Sequence, residues 1–108
     1  MPSVTLDGAT LRDEADFHTA CRAAFGFNDF VFSTMDSWID ALSYLRDEEG
    51  MTKFRLQPNE VLDIVITDSA LMKTQAPALL EEIVYCVGGI NERYEDYGEK
   101  PALRLVLR

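Results

Sequence analysis

The sequence has few of the residues on which several common protein functions depend. Its 108 residues include one histidine, His18, and two cysteines, Cys21 and Cys86, with no Cys-x-x-Cys pair. This set cannot form a recognisable zinc site, so we expect no metal, no cofactor and two reduced thiols in or near the core. Only 10 residues are basic against 19 acidic ones, and the net charge of −9 argues against direct binding of duplex nucleic acid.

Long apolar runs and a secretory leader are also lacking. The longest apolar stretch, from Ile83 to Ile90, is much shorter than the ~18 residues of a membrane helix. The N-terminus has no basic start and no apolar core of a signal peptide, and its first basic residue is Arg12. We therefore expect a cytoplasmic protein that binds no membrane. The length suits a single domain over 1–108, because a chain of this size buries one core and not two.

Apolar periodicity predicts an α/β fold. The predicted elements, in chain order, are a strand over 3–6, a helix over 13–25, a helix from Ser33 or Thr34 to Arg46 or Glu49, a hairpin strand over 53–56 followed by a turn, a strand over 61–67, a short helix over 69–74, a helix from Pro77 to Tyr94 or Tyr97, and a strand over 102–107. The 61–67 strand is apolar on both faces, which is typical of an interior strand in a parallel sheet. Right-handed crossovers then give a small parallel sheet packed with helices.

Apolar stripes identify the predicted core. In the second helix the stripe consists of Met35, Trp38, Leu42 and Leu45. In the last helix it consists of Leu80, Ile83, Val84, Val87, Ile90 or Asn91, and Tyr94. In the last strand Leu103, Leu105 and Leu107 share one face.

Another face of the second helix concentrates acidic side chains. Asp36, Asp40, Ser43 and Asp47 fall together there, with Ile39 along the boundary. Asp36 and Asp40 repel each other across one turn, at a cost of about 0.2–0.5 kcal/mol to the isolated helix. Acidic residues that destabilise their own helix favour a basic partner. The alternative is an ordinary solvated acidic face, since repulsion this weak is tolerated in many surface helices.

Several segments in the first 45 residues follow an order that is typical of one family. They are Val4-Thr5-Leu6-Asp7-Gly8, Asp16-Phe17-His18, Gly26-Phe27-Asn28-Asp29-Phe30 and Met35-Asp36-Ser37-Trp38-Ile39-Asp40-Ala41-Leu42. Together they resemble the barstar family, intracellular protein inhibitors of secreted ribonucleases. The resemblance implies a three-stranded parallel sheet packed with three or four helices.

The resemblance also implies a function. It indicates an immunity-type inhibitor, not an enzyme, which plugs the active site of a basic ribonuclease with acidic side chains. By correspondence Asp40 is the principal anchor and Asp36 the second, while Phe30 is an aromatic contact and Glu92 a further acidic contact. We expect a basic ribonuclease or another toxin protein as partner, and a monomer when free.

Departures from the family pattern leave two other hypotheses open. The family has tryptophan where this chain has Ile39 and a loop tyrosine where it has Phe30, and the segment 47–59 is longer. These differences favour a barstar-like binding module whose partner is another toxin or a regulatory protein. An enzyme would use Asp36 and Asp40 as paired carboxylates or as ligands of a divalent cation, but no nucleophile–base arrangement or phosphate loop accompanies them. Arg93 is expected either to line the same surface or to cover the sheet.

Overall fold

The sheet has three parallel strands. The computed structural model describes residues 2–26, 35–46, 55–57 and 59–108. Strands β1 (Ser3–Asp7), β2 (Leu62–Thr67) and β3 (Leu103–Leu107) are paired in the order β1-β2-β3. The central position of β2 confirms the prediction made from its two apolar faces. Three of its side chains, Leu62, Ile64 and Ile66, are fully buried.

Four helices connect and cover the strands. They are α1 (Glu14–Phe25), α2 (Met35–Leu42), α3 (Ser69–Gln75) and α4 (Pro77–Asp96), and a short 3₁₀ turn follows β1. Both steps across the sheet run in one direction, so right-handed crossovers place the connecting helices on one face. The burial of β1 agrees with this arrangement, because Val4 and Leu6 are buried while Ser3, Thr5 and Asp7 are exposed. The predicted α/β class is thus confirmed. No helix among the described residues is long and apolar enough to span a bilayer.

Several helix boundaries lie where the sequence predicts them. The Asp13 side chain caps α1 by accepting a hydrogen bond from the Asp16 amide at 2.9 Å. Gly26 ends the same helix with φ at 59°, a left-handed conformation that glycine adopts without strain. Pro77 is the first residue of α4, where its missing N–H costs nothing.

The second helix is shorter than predicted. It ends at Leu42 and continues as turns to Arg46. The Ser43 hydroxyl donates to the Ile39 carbonyl oxygen at 2.7 Å, and the Ser43 amide donates to the Asp40 carbonyl oxygen at 3.2 Å. A serine that bonds the preceding turn in this way, with the tighter i−3 backbone bond, favours the end of a helix. The predicted caps and residues 47–49 lie outside the described residues.

Three other predictions need correction. Of the predicted hairpin strand over 53–56, Arg55 and Leu56 form no strand, and the other two residues lie outside the described residues. The turn after it is confirmed by a 3.0 Å hydrogen bond from the Glu60 amide to the Gln57 carbonyl oxygen. Val84 is 49% exposed because, at 3.6 residues per turn, it lies about 90° round α4 from the centre of the buried stripe. Leu107 is 44% exposed at the end of an edge strand. The buried stripe of α4 consists of Leu79, Leu80, Ile83, Cys86, Val87, Ile90 and Tyr94.

Candidate partner-binding surface

The buried face of α2 fixes the direction in which its acidic side chains point. Met35, Trp38, Leu42 and Leu45 are all buried, as the stripe predicts. The fully buried Trp38 ring meets Phe17 of α1 edge-on, with ring centroids 5.1 Å apart. Edge-to-face packing of this kind is favourable beyond the area that it buries. With this face held in the core, the carboxylates of α2 are left exposed on the other side.

Asp40 is exposed and is paired with a cation from α4. Arg93 Nη1 donates to Asp40 Oδ1 at 2.9 Å and to Ser43 Oγ at 3.1 Å. The Arg93 side chain is 50% exposed and that of Asp40 is 58% exposed. The structure therefore brings Asp40 and Ser43 together as predicted, and it places Arg93 on this surface and not over the sheet. That Arg93 pairs with Asp40 was not predicted.

Asp36, one turn earlier, is also exposed but has a different environment. Its side chain makes no ion pair with any other residue that the structure describes. Burial raises the pKa of the Cys86 thiol on α4, and the negative charges of Glu82, Asp36 and Glu14 raise it further. Three helices thus bring acidic side chains close to one buried thiol. Glu82 and Glu14 were missed, because helical spacing within α2 carries no information on what α1 and α4 place beside it.

The C-terminal end of α2 is attached to α4 by a tyrosine. The Tyr94 hydroxyl donates to the Leu42 carbonyl oxygen and accepts from the Leu45 amide, each at 2.9 Å. Both bonds are buried, and they satisfy a carbonyl and an amide that the ended helix leaves free. The turn carrying Ser43 is therefore held in place against α4.

Arg46 holds the same end of α2 to the segments before β2 and β3. Its side chain is 6% exposed and lies over the Tyr94 ring, with the guanidinium carbon 5.2 Å from the ring centroid. It donates to the carbonyl oxygens of Glu60 at 2.9 Å and Lys100 at 2.8 Å, and it pairs with the Glu99 carboxylate at 3.3 Å. A buried guanidinium that meets several acceptors is stabilised by charge-assisted hydrogen bonds.

A comparison with models of known protein families matches residues 1–106 to the family described as Barstar (barnase inhibitor). The chain belongs to the barstar family. A search of curated proteins found no match. The parallel three-stranded sheet with four helices is consistent with barstar-family membership. Barstar-family proteins are inhibitors of barnase-type ribonucleases and not enzymes, so this chain is a barnase-inhibitor-like protein.

The other side chains predicted for a barstar-like binding site are not all brought together. Ile39 is half-buried at the boundary of the core, as predicted. Glu92 is exposed on α4, and its side chain makes no hydrogen bond or ion pair with another described residue. Phe30 and Asp47 lie outside the described residues.

Nothing in the described part of the chain supports metal or thiol chemistry at this surface. No group of three His, Cys, Asp or Glu side chains that could hold a metal ion is found among residues 2–26, 35–46, 55–57 and 59–108. Asp40 is engaged by Arg93, which competes with a cation for the carboxylate. Cys21 and Cys86 are free and buried, as predicted, and burial raises the pKa of both thiols. Protonated thiols in the core act as packing groups rather than nucleophiles.

Proposed function

We propose that this protein is an immunity-type inhibitor that binds a basic ribonuclease through the exposed face of α2 and blocks its active site. The observation that carries the proposal is a pair of exposed aspartates, Asp36 and Asp40, on the outer side of a barstar-family helix whose other side is buried. Ribonuclease active sites need basic groups to hold the substrate phosphates. Exposed carboxylates on a fixed helix are suited to bind the same basic groups.

The charge of the chain supports a basic partner. The net charge is −9, and Asp36 lies in a region to which α1 and α4 contribute Glu14 and Glu82. Opposite fields on two proteins increase their association rate and exclude partners of like charge. We infer that this acidic region attracts the ribonuclease and that Asp40 is its principal anchor, with Asp36 as the second.

The proposal assigns the remaining predicted residues to the edge of the contact. Ile39 precedes Asp40 on α2, Ser43 lies in the turn that follows the helix, and Glu92 adds a carboxylate from α4. Phe30 and Asp47 stay predictions. We further propose that the chain is one domain, monomeric when free, and acts in the cytoplasm. Its two free thiols are typical of a reducing compartment.

The test is an inhibition titration against small basic ribonucleases, with barnase among them. We expect RNA cleavage to be lost at a one-to-one ratio. Asp40→Ala should weaken binding by about 2–5 kcal/mol, as truncation of a buried charge contact does, for which barnase–barstar is itself the reference case. Glu81→Ala is the matched control, because it removes an exposed carboxylate of α4 that lies beside Leu107 and away from α2.

Full ribonuclease activity at excess protein would contradict the proposal. Two observations favour a second candidate in that event. Arg93 already pairs with Asp40, and Ile39 replaces the family's aromatic residue. The chain would then be a barstar-like module for another toxin or a regulatory protein. Affinity capture that recovers only non-nuclease partners would support this second candidate.

A further inference from the structure

Arg93 lies where a basic group of a partner would bind Asp40. We propose that Arg93 competes internally for Asp40 and thereby weakens the binding of a partner's basic group at this position. The partner class rests on the proposed function. The competition itself concerns only residues of this chain and can be tested without a ribonuclease.

The geometry of the ion pair is that of a weak, single-pronged contact. One nitrogen of Arg93, Nη1, serves both Asp40 Oδ1 and Ser43 Oγ. Among the hydrogen bonds of the described residues, Asp40 Oδ2 accepts none. A guanidinium binds a carboxylate best through two parallel N–H···O bonds, one to each oxygen. Arg93 therefore engages only one of the two carboxylate oxygens of Asp40.

This geometry distinguishes the two basic side chains of a partner. A partner arginine that binds both oxygens of Asp40 makes two charge-assisted bonds in exchange for the single bond that Arg93 makes. A partner lysine is a point charge without a planar fork, and it gains no such advantage over Arg93. Either side chain displaces Arg93 at the same cost in free energy, so Arg93 weakens the binding of both and leaves arginine's own preference for Asp40 unchanged.

When a partner displaces Arg93 from Asp40, the guanidinium has another site that it can occupy. Arg93 lines a depression at the end of α4 together with Asp96 and Tyr97. Asp96 is three residues later on the helix, within reach of an i,i+3 ion pair, and the 85% exposed Tyr97 ring offers a cation–π contact. Because exposed ion pairs change an equilibrium by only about two- to five-fold, a bidentate partner can displace Arg93.

The probes for the test are hexa-arginine and hexa-lysine peptides, titrated at low ionic strength. Binding at this position is followed by the NMR signals of the Asp40 and Ser43 amides, so that peptide bound elsewhere on the acidic surface does not count. Arg93→Gln should raise the affinity for both peptides by about two- to five-fold. The ratio of the two affinities should stay the same, because the cost of displacing Arg93 does not depend on which peptide binds.

Arg104→Gln is the matched control. Arg104 is 59% exposed and forms two hydrogen bonds to Asp63 of β2, so its loss removes the same positive charge from an ion pair at a distance from α2. We expect a smaller rise at Asp40, equal for the two peptides. When Asp40→Asn is also present, Arg93→Gln should raise the peptide affinity measured at the Ser43 amide no more than Arg104→Gln does.

An effect of Arg93→Gln that equals that of Arg104→Gln, or that persists beside Asp40→Asn, would overturn the proposal. Weaker peptide binding by Arg93→Gln would overturn it as well. With an inhibited ribonuclease, Arg93→Gln should speed association by a similar factor. If no ribonuclease is inhibited, the proposed function fails, and the peptide titration still decides the role of Arg93.

Discussion

The two turns of α2 that face solvent carry the same side chain in opposite electrostatic settings. Asp36 shares its surroundings with Glu82 and Glu14, whereas Asp40 is paired with Arg93. Both carboxylates are exposed, and they lie one turn apart on one helix. The difference therefore comes from α1 and α4 and not from α2. Asp36 adds to an attractive acidic field together with Glu82 and Glu14, while Arg93 competes with any partner group for Asp40.

Removing the support that both turns share should have the largest effect. Trp38→Ala deletes a fully buried ring that packs on Phe17, at an expected cost of about 3–5 kcal/mol in the free energy of unfolding. Urea denaturation measures this cost. Unfolding is followed by far-ultraviolet circular dichroism, because the variant lacks the only tryptophan of the chain and therefore its fluorescence signal. Ile39→Ala, at a half-buried position, is the control and should cost less than half as much. A Trp38→Ala variant as stable as the parent would show that the two turns are supported independently.

Removing the Tyr94 hydroxyl should affect only the C-terminal end of α2, the end nearer Asp40. Tyr94→Phe leaves the Leu42 carbonyl and the Leu45 amide without their buried partner, which should cost about 1–3 kcal/mol. In hydrogen exchange we expect the Leu45 amide to accelerate more than the Ile39 amide, which lies in the middle of α2. Equal acceleration of the two amides would mean that Tyr94 stabilises the whole fold and not this turn.

A lower pH should reduce the stability of the protein through protonation of His18. Burial lowers the pKa of His18 on α1, and Arg22 lowers it further, while Glu14 and Glu82 raise it in part. A lowered pKa means that the unfolded chain binds the proton more readily, so stability is lost as the pH falls through the ordinary histidine value of about 6.5. Urea titrations from about pH 7.5 to about pH 5.5 should show this slope. His18→Gln should flatten it, and an unchanged slope would exclude His18 as its source.

The smallest expected effect is on the Cys86 thiol, which reports the charge near Asp36. Burial is the main cause of its raised pKa, and Asp36 adds to it while Asp40 is not among the contributing charges. Asp36→Asn should therefore lower the Cys86 pKa and Asp40→Asn should leave it unchanged. A ¹³C NMR titration of labelled cysteine β-carbons measures both. Equal shifts in the two variants would contradict the separation of the two turns.

Much of the fold was predictable because local pattern and burial coincide. The β2 strand is apolar on both faces and lies at the centre of the sheet, and Asp13 and Pro77 begin helices for reasons contained in a few neighbouring residues. The end of α2 was not predictable from periodicity, because the apolar stripe continues to Leu45 while Ser43 bonds back to the preceding turn.

The site was predictable only in part, for a different physical reason. The spacing of Asp36 and Asp40 on one exposed face follows from helix geometry. The ion pair of Asp40 with Arg93 joins residues 53 positions apart, and it depends on the angle at which α2 and α4 pack. The same limitation applies to Glu82 and Glu14, which come near Asp36 only through tertiary structure.

The contacts of Arg46 mean that this surface is completed late in the synthesis of the chain. The backbone oxygens that it binds include those of Lys100 and Pro101, which follow it by 54 and 55 positions. A ribosome that adds about 5–20 residues per second completes these acceptors on the order of 3–10 seconds after Arg46 itself. Throughout that interval the nascent chain contains the acidic helix but not the carbonyl oxygens of Lys100 and Pro101 that complete the attachment of its end. The surface proposed to bind a ribonuclease is therefore complete only once translation has passed residue 101.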